Sequence, residues 1–206
     1  EAIKMSNLFI DQGQEIVFTK GKVKEWDKSY KTRSTALDTT MPLVVLINRS
    51  SASASEIVSG AIQDLDRGVV LGQRSFGKGL VQQTRKLSYN AQLKVTTAKY
   101  YIPSGRCIQA LDYSSRDEDG SVGKTPDSLR TEFKTLVNKR TVYDGGGITP
   151  DIEIEPHKYS NILRSVISKR HIFNFANSFR SNNDSISSAK TFVVTDAIYD
   201  DFKQFL

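Results

Sequence analysis

Residues 42–56, PLVVLINRSSASASE, decide how the rest of the chain is read. Leu43, Val44, Val45, Leu46 and Ile47 form an unbroken apolar run, the pattern of a buried strand over residues 42–47. From Ala54 the apolar spacing changes. Ala54, Ile57, Val58, Ala61, Ile62 and Leu65 recur at helical intervals and mark one face of an α-helix. Between the two lies a turn carrying Ser50, Ser51, Ser53 and Ser55. Where a strand ends and a helix begins, unpaired N–H groups and the helix dipole favour negative charge, so a developing oxyanion is stabilised there. A purely structural role competes with this one. Ser53 and Glu56 satisfy the S-x-x-E capping box, in which the serine only caps the helix. Taken alone, the stretch favours the cap.

The following residues change that balance. Gly68-Val69-Val70-Leu71-Gly72 reads as a second short strand, which completes a strand–helix–strand unit with parallel strands. Parallel strands end at the same sheet edge, so residues 73–79 (QRSFGKG) emerge beside the serine turn, with Lys78 between Gly77 and Gly79. A lysine accepts a hydroxyl proton only when neutral, a state that partial burial favours. The flanking glycines allow a sharp turn and close backbone packing. A solvated loop lysine is the competing role.

Several ordered motifs then coincide. Ser51-Ala52-Ser53-Ala54-Ser55-Glu56-Ile57, Gly68-Val69-Val70-Leu71-Gly72, Ser75-Phe76-Gly77-Lys78-Gly79 with Gln82, the run from Thr97 to Arg106 (TAKYYIPSGR) and Gly147-Ile148-Thr149-Pro150-Asp151 together resemble the carboxyl-terminal processing peptidases, the tail-specific protease family. The resemblance spans residues 1–155. It implies an α/β fold, a crotonase/ClpP-like core of strand–helix units with a C-terminal helical extension. It also implies a serine endopeptidase acting near the C-termini of protein substrates. By that resemblance Ser53, rather than a neighbouring serine, is the nucleophile and Lys78 the general base. Gln82 helps hold the lysine, and the Ala54 amide donates to the oxyanion. No metal or organic cofactor is implied. The implied partners are proteins or peptides with accessible C-termini, with membrane association and a homo-oligomer both open for the parent protein. The implied location is extracytoplasmic in a bacterium, periplasmic or membrane-associated.

In that family a D-L-R-x-N-G-G-G segment supplies a second oxyanion donor, and a PDZ domain before it gathers substrate C-termini. Neither motif occurs in these 206 residues. The core is therefore expected to be incomplete on its N-terminal side, with a strand missing beside residues 42–47. The stretch alone is expected to be inactive or nearly so, with Ser53 and Lys78 still within hydrogen-bonding reach.

Composition bounds the alternatives. A chain of 206 residues with 38% hydrophobic content can fill one large core with an appendage. No apolar run is long enough to span a bilayer. The net charge of +6 is spread among acidic residues without an aromatic platform, which argues against nucleic acid. Cys107, the single cysteine, excludes an intrachain disulfide and reads as a packed small residue. His157 and His171 lack metal-site spacing, and His157 is the one base that a Ser-His-Asp arrangement could use. Gly145-Gly146-Gly147 reads as a turn.

The remaining pattern predicts a helix over residues 1–10, strands over 15–19 and 23–30, and an exposed connection over 31–40. Strands follow over 79–87 and 92–101, the second half-buried because Leu93, Val95 and Thr97 alternate with Lys94, Thr96 and Ala98. Residues 112–124 read as a mobile charged loop, 128–137 as a short helix, 142–147 as a turn and 148–154 as a strand. Beyond Pro156 come a helix or helix pair over 162–176, a polar linker over 178–188 and a helix over 196–206. The domains are thus a partial catalytic core, 1–155, and a helical extension, 156–206. Two other functions stay open: a non-catalytic module that grips peptide tails or mediates assembly, and a Ser-Lys peptidase of the signal-peptide-digesting type.

Overall fold

The computed structural model describes residues 1–114, 116 and 118–206. The chain divides into two compact units, Glu1–Glu155 and Pro156–Leu206. At the centre of the first unit, β3 (Val44–Ile47), α2 (Ala54–Asp64) and β4 (Val69–Gly72) form the crossover, preceded in the chain by α1 (Ala2–Ser6), β1 (Glu15–Gly21) and β2 (Lys28–Lys31). β3 and β4 run parallel with Val45 opposite Val70 and Ile47 opposite Gly72. The short strand β9 (Ile152–Glu153) adds to the other side of β4. Ile57, Ala61 and Ile62 of α2 pack with Ile10, Ile16 and Val17, while Ile47, Val70, Ile102, Ile108 and Ile148 form a second apolar cluster beneath the same crossover.

Residues 42–47 are not the buried strand that their apolar run suggests. β3 lies at the edge of the three-stranded sheet, and Val44 and Leu46 are 57% and 73% exposed. Successive strand residues face opposite sides. α2 covers the side of Val45 and Val70, while Val44, Leu46, Val69 and Ile152 form an exposed face.

A four-stranded antiparallel sheet, ordered β2-β1-β6-β5, carries the hairpin of β5 (Leu80–Lys86) and β6 (Gln92–Tyr101). Leu93 and Val95 are exposed, so the outer half of this hairpin is solvated rather than half-buried. After β6 the chain returns to α2 through a buried ion pair: Arg106 and Asp64 lie 2.8 Å apart with both side chains fully buried. Arg106 also donates to Gln63 Oε1 at 2.7 Å, and Ser104 N–H donates to Asp64 at 3.0 Å. These extra donors and acceptors are what a buried pair needs to offset its lost hydration.

Residues 128–137 are not helical. A 3₁₀ turn over Asp127–Leu129 leads into a hairpin of β7 (Glu132–Lys134) and β8 (Thr141–Tyr143), with Phe133 opposite Val142. Asp66 captures its loop by accepting the Val137 and Asn138 N–H groups, a tertiary contact invisible to local periodicity. The first helix stops at Ser6 because Asn7 turns its side chain to residues 33 and 34, accepting both their N–H groups. The expected strand over 23–30 begins as a 3₁₀ turn, Lys24–Trp26, and that over 148–154 is regular only at Ile152–Glu153. Positions 115 and 117 of the charged 112–124 loop lie outside the described residues.

The second unit holds α3 (Asn161–Ser168), α4 (His171–Ser181) and α5 (Asp196–Phe205). Ser160 and Thr195 cap α3 and α5 by accepting the Leu163 and Ile198 N–H groups. Phe175 stacks edge-on against Phe202 and Phe205 at 5.2 and 5.6 Å, and α4 extends into the expected polar linker. No helix among the described residues is long and apolar enough to cross a membrane.

Candidate active site

Ser53 occupies the N-cap of α2 with φ 56° and ψ −113°. A residue with a Cβ is strained there, at a cost of about 1–3 kcal/mol. The capping box is asymmetric. Ser53 N–H donates to Glu56 Oε2 at 2.8 Å, but the Glu56 N–H is given to the Ser53 carbonyl at 2.9 Å and the serine hydroxyl makes no cap hydrogen bond. Ser53 Oγ is thus left available at a half-buried position. Ala54, the first residue of α2, has an N–H without an acceptor among the described residues. Such a group at a helix N-terminus suits an anionic oxygen.

The lysine loop is fastened to this turn by Glu56, which is fully buried. Its Oε2 accepts from Ser53 N–H and Lys78 N–H, each at 2.8 Å. Its Oε1 accepts from Gly77 N–H at 2.6 Å and Ser75 Oγ at 2.5 Å. One carboxylate therefore holds the backbones of Ser53 and Lys78 against the same oxygen. Phe76 N–H adds a bond to the Ser51 carbonyl at 2.9 Å. Behind the loop, Ser75 Oγ accepts the Ile148 N–H at 2.6 Å, and a Cβ on Gly147 would approach Ser75 Oγ to 2.6 Å. The glycine triplet ending at Gly147 is thus a close-packing wall as well as a turn.

In the sequence Glu56 shows only as half of a cap. Its full burial, which the S-x-x-E pattern does not reveal, is what makes the carboxylate need several donors. Lys78 departs from the expected partial burial. Its side chain is exposed and has no hydrogen-bond or ion-pair partner among the described residues, Ser53 Oγ included. The expected Ser53–Lys78 hydrogen bond is therefore not formed, although the two backbones meet. Gln82 also lies exposed on β5, just past a bulge after Val81, and donates to Thr96 Oγ1 at 3.4 Å rather than reaching Lys78. Gly77 turns the loop with φ +85°, and the Lys78 side chain that follows is exposed. Burial pushes the Cys107 thiol up, in keeping with a packed residue. His157 stacks on Tyr159 in the second unit. No group of three or more metal-ligating side chains occurs among the described residues.

Residues 1–115 match the model of "Peptidase family S41". The chain belongs to this peptidase family. Residues 162–206 match a second model, described as "Probable PDZ-protease, C-terminal helical domain". A carboxy-terminal-processing protease of Bartonella bacilliformis is 44% identical over 111 residues, covering 54% of this chain and 25% of its own. A CtpA-like serine protease of Staphylococcus epidermidis is 43% identical over 111 residues, covering 52% of this chain and 22% of its own. Among solved structures, a photosystem II D1 C-terminal processing protease superposes with a TM-score of 0.53 at 27% identity, over 81% of this chain and 34% of that one. The S41 chain described here thus spans about a quarter of the length of these curated relatives.

Proposed function

We propose that this chain carries the nucleophile and base of a serine endopeptidase that cleaves proteins near their C-termini, on a crotonase/ClpP-like core. The observation that carries the reading is the Glu56 carboxylate, which binds the backbones of Ser53 and Lys78 to one oxygen. Ser53 Oγ attacks the scissile carbonyl while Lys78 Nζ takes its proton, then returns it to the leaving amine. The Ala54 N–H faces the oxygen that becomes negative, a contact worth about 3 kcal/mol in comparable sites. Gln82, four residues along β5, orients the lysine when substrate closes the site. The parent protein acts outside the cytoplasm of a bacterium in this reading, which fractionation of cells checks.

The test is fluorophosphonate labelling and peptide cleavage by the full-length protein. Ser53 takes the label, and Ser53→Ala and Lys78→Ala abolish turnover. Lys78→His does not restore it, because imidazole is shorter and differently aimed. Near-normal turnover by Lys78→Ala would place the base elsewhere. A second reading is supported by the exposed Lys78 side chain, unpartnered among the described residues: a module that binds peptide tails without cutting them. It predicts saturable peptide binding with no label on Ser53.

A further inference from the structure

Beside the lysine loop the antiparallel sheet holds a cavity of about 760 Å³. Leu80, Gln109 and Leu111 are among its lining residues, and so are Lys20, Lys22, Lys24 and Lys99. Lys20 and Lys99 are direct cross-strand partners on β1 and β6. Directly opposed side chains on antiparallel strands share a face, and like charges so placed are destabilising. No relief is supplied from within: none of the four lysines enters an ion pair among the described residues. Among the described residues Asp112 is the acidic one lining the cavity, and its carboxylate accepts from Ser114 N–H and Oγ at 2.9 and 2.5 Å. The nearby Asp27 accepts the Gly21 N–H at 2.8 Å.

Lys20 is also held in place. Its Nζ lies 5.0 Å from the Phe18 ring and 5.6 Å from that of Tyr101, and these two rings stack at 5.3 Å. Cation–π contacts fix a lysine head without neutralising it. Burial pushes the Tyr101 phenol up, so its hydroxyl stays a donor beside the lysines. The cavity is tied to the candidate active site as well. Gln109 Oε1 accepts the Gly79 N–H at 2.8 Å, and Leu80 lies two residues beyond Lys78. An extended chain lying across Lys78 reaches it within about three residues, at roughly 3.3 Å each.

We infer that this cavity is a substrate subsite for acidic side chains, so that the peptidase favours polypeptides carrying Asp or Glu a few residues from the scissile bond. The inference rests on the peptidase reading given above and adds the class of substrate. A carboxylate between Lys20 and Lys99 removes their mutual repulsion and gains charge-assisted hydrogen bonds.

The experiment uses the full-length protein with Ser53→Ala and two fluorescein-labelled peptides, one with a Glu-Asp-Glu segment and one with Gln-Asn-Gln in its place. Anisotropy is expected to show the acidic peptide binding roughly tenfold more tightly, with the advantage fading as salt screens it. The double variant Lys20→Glu, Lys99→Glu is expected to abolish that advantage and to favour a lysine-containing peptide. Lys99→Glu alone should raise the melting temperature by pairing with Lys20 and should also lose the acidic advantage, so the test stands even where the double variant fails to fold. Equal affinities for the two peptides, or a preference that survives the double variant, overturns the proposal. So does a single-stranded oligonucleotide of equal charge that displaces the acidic peptide at matched concentration, since the site would then read charge alone. Fluorophosphonate labelling of the wild-type protein is scored separately, so failure of the catalytic reading is distinguished from failure of the subsite.

Discussion

At the scale of single residues, the backbone of Ser53 and the carboxylate of Glu56 make testable demands. Ser53 holds a positive φ without a cap bond from its hydroxyl. Ser53→Ala should therefore change stability by less than about 1 kcal/mol, below the usual loss for a capping serine. Ser53→Gly should be more stable than Ser53→Ala by about 1 kcal/mol, since glycine enters this region freely. Urea melts of the two variants read the difference, and a large loss in the alanine variant would mean that the serine is mainly a cap. Glu56→Gln is a sharper test. Each carboxylate oxygen accepts two donors, so an amide nitrogen at Oε2 faces two N–H groups that can only donate, and one at Oε1 faces the Gly77 N–H. A loss of about 2–4 kcal/mol is expected, together with a fall in kcat as the serine and lysine lose register. Ser53 and Lys78 could be singled out as candidates from motifs because serine and lysine carry their chemistry in residue type. The clamp that joins them could not, since S-x-x-E describes a local cap equally well.

At the scale of elements, the crossover was legible because apolar spacing changes sharply between residues 47 and 54 and strand periodicity returns at Val69. The β7–β8 hairpin was not, because three-residue strands leave too few positions to show a period, and Asp66 supplies the contact that selects them. The edge position of β3 was hidden for a related reason: an apolar run records side-chain chemistry, not how many of its faces are covered. The lysine loop is tightly packed at Gly77. Gly77 has φ +85°, and a Cβ there would lie 2.3 Å from the Ala110 Cβ. Gly77→Ala should cost about 2–4 kcal/mol through overpacking and backbone strain, with reduced serine labelling under conditions where the variant remains folded. Labelling at the wild-type rate would show that the loop has room to shift.

At the scale of the whole molecule, stability against acid depends on how distant segments meet. Burial alone would raise the Asp66 carboxyl, but the Asn138 N–H, the Arg140 guanidinium and the Val137 N–H together hold it below the usual carboxylate range. A folded value below the unfolded one contributes stability that is fully present above about pH 4 and is lost as pH falls through the folded value. Asp66→Asn should therefore be less stable than wild type at neutral pH, with the two stability curves converging in acid. Parallel curves from pH 7 down to the acid transition would count against this. The long-range tie behind the lysine loop has a consequence for the order of manufacture. Ser75 receives its donor from Ile148, 73 positions further along, and β9 joins β4 only after that point. Chains leave the ribosome N-terminus first. A nascent chain can thus display the serine turn and the lysine loop while the wall that steadies them is still untranslated. The serine turn and the lysine loop are thus steadied only once Ile148, close to the end of the first unit, has been added to the chain.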